Sequence, residues 1–182
     1  GVLDVASDAT FHGSMDILSG SQIILGRGMW TGEMPYFDSS TAAVTNFWIN
    51  GDVTMTRDVT IPGADTVQIR PAASVTVNGY SWEMEHLTYW DSNATGEGLI
   101  MTNPNDAVLV RKNFTATNQY GNGSATTLGN LTAGVLTVRG NFTANNEGSS
   151  SSYMAFKPSG TKVVLDSSSA QSVYFTVSSP ST

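Results

Sequence analysis

Residues 81–91 read SWEMEHLTYWD and gather the side chains most capable of chemistry: Glu83, Glu85, His86 and Asp91. Glycoside hydrolysis needs two carboxylates facing each other across the scissile bond, one as acid and one as base or nucleophile. Glu83 and Glu85 share a face if the segment is extended, and His86 is close enough to tune them. The competing reading is a polar loop on an acidic protein. Asp4, Asp8 and Asp16 fall at alternation or turn positions and read as solvated faces. His12 and His86 are far apart and lack a metal-ligand spacing, and GRG at 26–28 is a corner rather than a dinucleotide fingerprint. No HExxH, GxSxG or phosphate-binding loop occurs, so no metal or cofactor is expected, and the chain reads as a non-enzyme.

The composition points the same way. Among 182 residues 40% are hydrophobic, enough for a core, but only 13% are charged. That is about half the usual share. Ser, Thr, Asn and Gly fill the difference, as they do in exported β-rich proteins. The net charge is −7 with three lysines (Lys112, Lys157, Lys162). No basic stripe exists to displace counterions from phosphates, so a nucleic-acid partner is not expected. The absence of cysteine excludes disulfides and thiolate sites. No apolar run approaches the roughly 20 residues of a membrane span, so membrane insertion is not expected. A first residue of Gly rather than Met points to a processed protein or a fragment.

What must position these residues is legible in a repeat. Residues 106–118 read DAVLVRKNFTATN and residues 134–146 read GVLTVRGNFTANN. From Ala107/Val135 to Asn118/Asn146, seven of twelve aligned pairs are identical at a separation of 28. Weaker relatives are WINGDVTMT at 48–56 and VTVNGYS at 75–81. With pivots at Gly51, Gly79, Lys112 and Gly140 the spacings are 28, 33 and 28, and Ser167 in KVVLDSSS lies 27 beyond Gly140. Period-two apolar runs closed by Gly, Pro, Asn, Asp or Ser are strands and turns. Only SWEMEHLTYW leaves room for a short helix or loop.

A β-sandwich or jelly roll, the alternative fold, pairs strands distant in sequence and needs no period. A parallel, right-handed β-helix (a β-solenoid) with coils of about 28 residues explains why Asn-Phe-Thr recurs: each strand lies on its equivalent one coil back. Residues 1–182 then form one solenoid domain of about six and a half coils, roughly 30 Å long at about 4.8 Å per coil. Asn113 and Asn141 stack at a corner. Phe114 on Phe142 and Val110 on Val138 stack inside.

The phrases LTVRGNFT, DVTIPGADTVQIRPAASVTVNG and PSGTKVVLDSSSAQSVYF resemble coils of bacterial and archaeal surface proteins. Among these are the filamentous-haemagglutinin-like adhesins and autotransporter passengers. The resemblance covers most of 1–26 and 47–177 and implies an exported, extracellular or cell-surface rod. It carries over no binding or catalytic residue. The calcium-binding GGxGxD phrase is absent.

Two stretches read as non-repeat insertions, at about 28–46 and 80–98. They hold Trp30, Tyr36, Phe37, Trp82, Tyr89 and Trp90, which read as contact aromatics for a protein partner or a glycan, or else as covers over the core. Thr54-Met55-Thr56 matches an ice-binding spacing but does not recur in each coil. Sequons at Asn93, Asn113, Asn122, Asn130 and Asn141 are acceptors in a pathway that glycosylates.

The strands at both ends lack a charge cluster or a helix that would blunt an open edge. The expectation is therefore a structural subunit of an extracellular filament, sheath or adhesin stalk. Its partner is itself, in a head-to-tail homopolymer, or the neighbouring segments of a longer rod. A carbohydrate-binding or carbohydrate-cleaving β-helix is the alternative.

Overall fold

The computed structural model describes residues 2–5, 16–17, 22–25, 34, 36–37, 46–49, 51–61, 66–91, 98–118, 130–146 and 155–176. Among these residues there is no helix, and every strand pairing is parallel. The chain is a β-solenoid.

Its longest sheet contains eight strands in chain order: β1 (Val2–Val5), β3 (Gln22–Leu25), β5 (Asn46–Ile49), β8 (Thr66–Ile69), β11 (Leu87–Asp91), β14 (Phe114–Asn118), β16 (Phe142–Asn146) and β18 (Val173–Thr176). A second sheet runs β7 (Val59–Thr60), β10 (Ser81–Met84), β13 (Ala107–Val110), β15 (Val135–Val138) and β17 (Lys162–Leu165). A third holds β6 (Asp52–Thr54), β9 (Ser74–Thr76) and β12 (Gly98–Ile100), extended by a parallel bridge from Met101 to Leu131. β2 (Asp16–Ile17) pairs with β4 (Tyr36–Phe37). From β5 onward the chain visits the long, third and second sheets in turn, so one coil has three faces.

The period is not uniform. On the second sheet Ser81↔Ala107, Ala107↔Val135 and Val135↔Lys162 set steps of 26, 28 and 27 residues, and here the spacing of about 27 holds. Toward the N-terminus the long sheet steps by only 20 (Val2↔Gln22, Asn46↔Thr66, Leu87↔Val67) or 24 (Ile23↔Phe47). At the other end the step is 31 (Phe142↔Val173).

The four pivots also prove to belong to three different corners. Gly51 lies between β5 and β6, and Gly79 between β9 and β10. Lys112 and Gly140 lie between the second and long sheets and are the pair that stack, Gly140 N–H donating to Lys112 O at 2.8 Å. Asn78 and Gly79 both take positive φ (58° and 88°), which Asn and Gly tolerate best. Ser167 does occupy the Gly140 corner, since Leu165 pairs with Val138.

The stretch 80–98 is not an insertion. Residues 81–84 are a strand of the second sheet, 87–91 a strand of the long sheet, and Glu85-His86 the corner between them. Of the stretch 28–46, Tyr36 and Phe37 form a strand, while most of the rest lies outside the described residues.

Alternation along each strand puts every second side chain into the core. Register then stacks like on like. One column of the long sheet runs Leu3, Ile23, Phe47, Val67, Leu87, Phe114, Phe142, Val173. Another runs Ile49, Ile69, Tyr89, Ala116, Ala144, Phe175. From the second sheet come Val59, Trp82, Val108, Leu136, Val163 and Met84, Val110, Val138, Leu165. Phe114 and Phe142 lie nearly parallel with centroids 4.9 Å apart, and Phe156 meets both edge-on at 5.5 and 5.0 Å. Tyr89, also edge-on to Phe114, donates its buried hydroxyl to Ala155 O at 2.6 Å.

Replacing Phe114 by Ala leaves a hole touching three rings and is expected to cost about 3–5 kcal/mol in urea unfolding. Thr115→Val, in the outward column, should stay within about 0.5 kcal/mol. Equal losses at the two positions would contradict the register.

Candidate functional site

Two places deserve the name of a site: the corner between the second and long sheets, where the carboxylates fall, and the last turn of the coil.

At the corner, the position just before each long-sheet strand is His86, Asn113, Asn141 and Ser172 in successive turns. Each of the first three hands an acceptor to the next. Asn113 N–H donates to His86 Nδ1 at 3.3 Å, Asn141 N–H to Asn113 Oδ1 at 2.9 Å, and Ser172 N–H to Asn141 Oδ1 at 2.9 Å. In return, Leu87, Phe114 and Phe142 N–H donate to the main-chain oxygens of Asn113, Asn141 and Ser172. The side-chain amide thus stands in for a backbone acceptor where the chain turns away from the ladder.

Beside it, a Cβ on Gly140 would lie 2.5 Å from the Lys112 carbonyl, which is why the repeat has Lys in one turn and Gly in the next. In the last turn the Gln171 side chain donates to Val138 O (3.0 Å) and Gly140 O (2.5 Å), closing the corner where the step lengthens.

The paired carboxylates are taken up in this stacking. Arg111 comes from the following turn and places Nε 2.6 Å from Glu83 and Nη1 3.6 Å from Glu85, while Lys112 Nζ lies 3.4 Å from Glu85. The hydrogen bond to Glu83 is the main reason the Arg111 guanidinium is held above its ordinary pKa. A cation thus sits against both carboxylates, where hydrolysis would need the glycosidic oxygen and a water. These contacts are inter-turn ion pairs on a solvated surface and contribute little to stability. Asp91 closes β11 in register with Asn118. Among the described residues no three His, Asp or Glu side chains converge as metal ligands.

The contact aromatics divide. Trp82 and Tyr89 are fully buried. They are core residues and not contact residues, because Trp82 shares the inward parity of Met84, and Tyr89 that of Leu87. Trp90 is half-buried. Tyr36 and Phe37 lie in β4, and Trp30 lies outside the described residues. Of the sequons, Asn113 and Asn141 are exposed, Asn130 is buried, and Asn93 and Asn122 lie outside the described residues.

At the last turn the core columns come to the surface. Leu165, Val173 and Phe175 end columns that are buried at Met84, Val110 and Val138, from Val67 to Phe142, and from Ile49 to Ala144, yet they are 43%, 49% and 59% exposed. Tyr174, 58% exposed, ends the outward column Thr88, Thr115, Thr143. Phe175 still meets Phe142 at 5.8 Å on one side. Among the described residues β18 and β17 are the edge strands of their sheets, each with one neighbour. Among these residues apolar side chains and a strand edge with one partner therefore coincide on one end face. The sequence signal for this was SVYFTV, which keeps strand alternation near residue 176 without a blunting charge.

Compared with protein-family models, with curated proteins and with solved structures, the chain finds no match in any of the three. What is established is a parallel β-solenoid.

Asn141→Ala, which removes the acceptor of the exposed Ser172 N–H, is expected to cost about 0.5–1.5 kcal/mol, with much of it restored by Asn141→Asp. Trp82→Ala should cost about 3–5 kcal/mol in the same unfolding assay, the signature of a core ring. A Trp82→Ala protein of unchanged stability would place that ring on the surface.

Proposed function

We propose that this chain is a non-enzymatic structural rod of an extracellular filament, sheath or adhesin stalk, joined end to end through its terminal turns. The observation that carries the reading is the exposure of Leu165, Val173 and Phe175 at positions that are buried from Met84, Val67 and Ile49 onward in the preceding turns. Each is a core side chain lacking its neighbour on one face, and covering it is favourable by about 25 cal/mol per Å² of apolar surface. The adjoining strand edges supply backbone donors and acceptors for the same contact, in the manner of β-augmentation. A contact between unlike ends does not close on itself and yields a filament.

The surface-protein style of the coils and the low-charge Ser/Thr/Asn surface agree with an exported location. A carbohydrate-active β-helix is less well supported, because Trp82 is buried and Glu83 and Glu85 are engaged by Arg111 and Lys112.

Negative-stain electron microscopy of the purified chain, before and after dilution, tests this. The expected result is filaments with an axial repeat near 38 Å, which is eight strands at about 4.8 Å, shortening on dilution. Discrete particles at every concentration would count against end-to-end assembly.

A further inference from the structure

We infer that the partner of the open turn is a second copy of this chain in a single polarity: its β1 adds to β18 as a ninth parallel strand, with Leu3 over Val173 and Val5 over Phe175. This rests on the end-joined reading above and specifies its partner, direction and register.

The argument is one of continuity. β1 and β18 are both four-residue strands and, among the described residues, form the two opposite edges of one sheet. The column that begins at Leu3 ends at Val173 and is apolar at all eight positions. Val5, paired with Leu25, stands two residues beyond Leu3, as Phe175 stands two beyond Val173. A copy advanced by eight strands therefore brings an apolar strand of the same length and alternation against the exposed pair.

The corner agrees. Ser172 heads the acceptor ladder with an exposed side chain, and Val2 of the next copy falls over it in the same column. Two β18 edges, by contrast, could meet only antiparallel. That would set the corner of one turn against the far end of the other strand and break both columns.

Because the chain contains no cysteine, the register can be read by cross-linking. Asp4 and Tyr174 follow Leu3 and Val173, and the ninth-strand pairing puts their Cα atoms about 4.8 Å apart, within the disulfide range of about 4.4–6.8 Å. Mild oxidation of an Asp4→Cys/Tyr174→Cys chain should give a covalent ladder on a non-reducing gel. An Asp4→Cys/Val164→Cys chain, with one thiol on the second sheet, should give none. Tyr174→Cys alone should give no dimer; a dimer from it would mean tail-to-tail pairing and overturn the inference.

Phe175→Lys gives an independent test at a position already exposed. These chains should not extend one another. Added to the wild type, they should cap and shorten its filaments, since only their β18 end is blocked. Sedimentation of the wild type separates the two levels of failure. A monomer throughout sinks both end-to-end assembly and this inference, whereas assembly without the ladder or the capping sinks the inference alone.

Discussion

Everything in this molecule depends on strands lying in parallel register on their own equivalents. That constraint places each side chain on the same kind of side chain in the next turn, at the spacing of neighbouring strands. It turns an alternating sequence into continuous apolar columns and turns corner asparagines into a ladder of acceptors. The stack of Phe114 on Phe142 is the clearest case, and Tyr89 and Phe175, from the neighbouring column, meet it edge-on and tilted at either end. Local contacts between adjacent turns carry the stability, as in other solenoids, and an end turn has half of them.

The sequence was legible where turns have equal length. Ala107–Asn118 and Val135–Asn146 belong to steps of 28 on both sheets, so their phrases align by eye. Shorter N-terminal steps of 20 and 24 leave no recurring phrase, because corner residues there differ in number and type. The pivot glycines misled for a related reason: a three-faced coil has three corners, and glycine serves at more than one. In SWEMEHLTYW the cause was parity. Inward positions run Trp82, Met84 and then Leu87, Tyr89, because the Glu85-His86 corner has one residue fewer than Arg111-Lys112-Asn113. The alternation breaks there, and two strands read as one irregular segment.

The longest step of the long sheet, 31 residues, gains its length between β17 and β18, where residues 166–172 stand in place of the three residues 139–141. This is the corner between the second and long sheets. It is the corner that carries the side-chain acceptor ladder and the Arg111 and Lys112 ion pairs. The ladder is kept by the position directly before each long-sheet strand, so the corner can lengthen on the second-sheet side, as it does before Ser172. Hydrogen bonding therefore fixes the residue that enters the long sheet and leaves the length before it free to vary.

The central claim is that the last turn owes its incomplete burial to a missing neighbour. Amide hydrogen exchange, measured residue by residue at low and high protein concentration, tests it most directly. Phe114–Asn118, with strands on both sides, should be protected at either concentration. Val173–Thr176 should exchange rapidly when dilute and become protected as concentration rises. Strong protection of Val173–Thr176 in dilute solution would contradict the account, because it would mean that a single chain covers its own last turn.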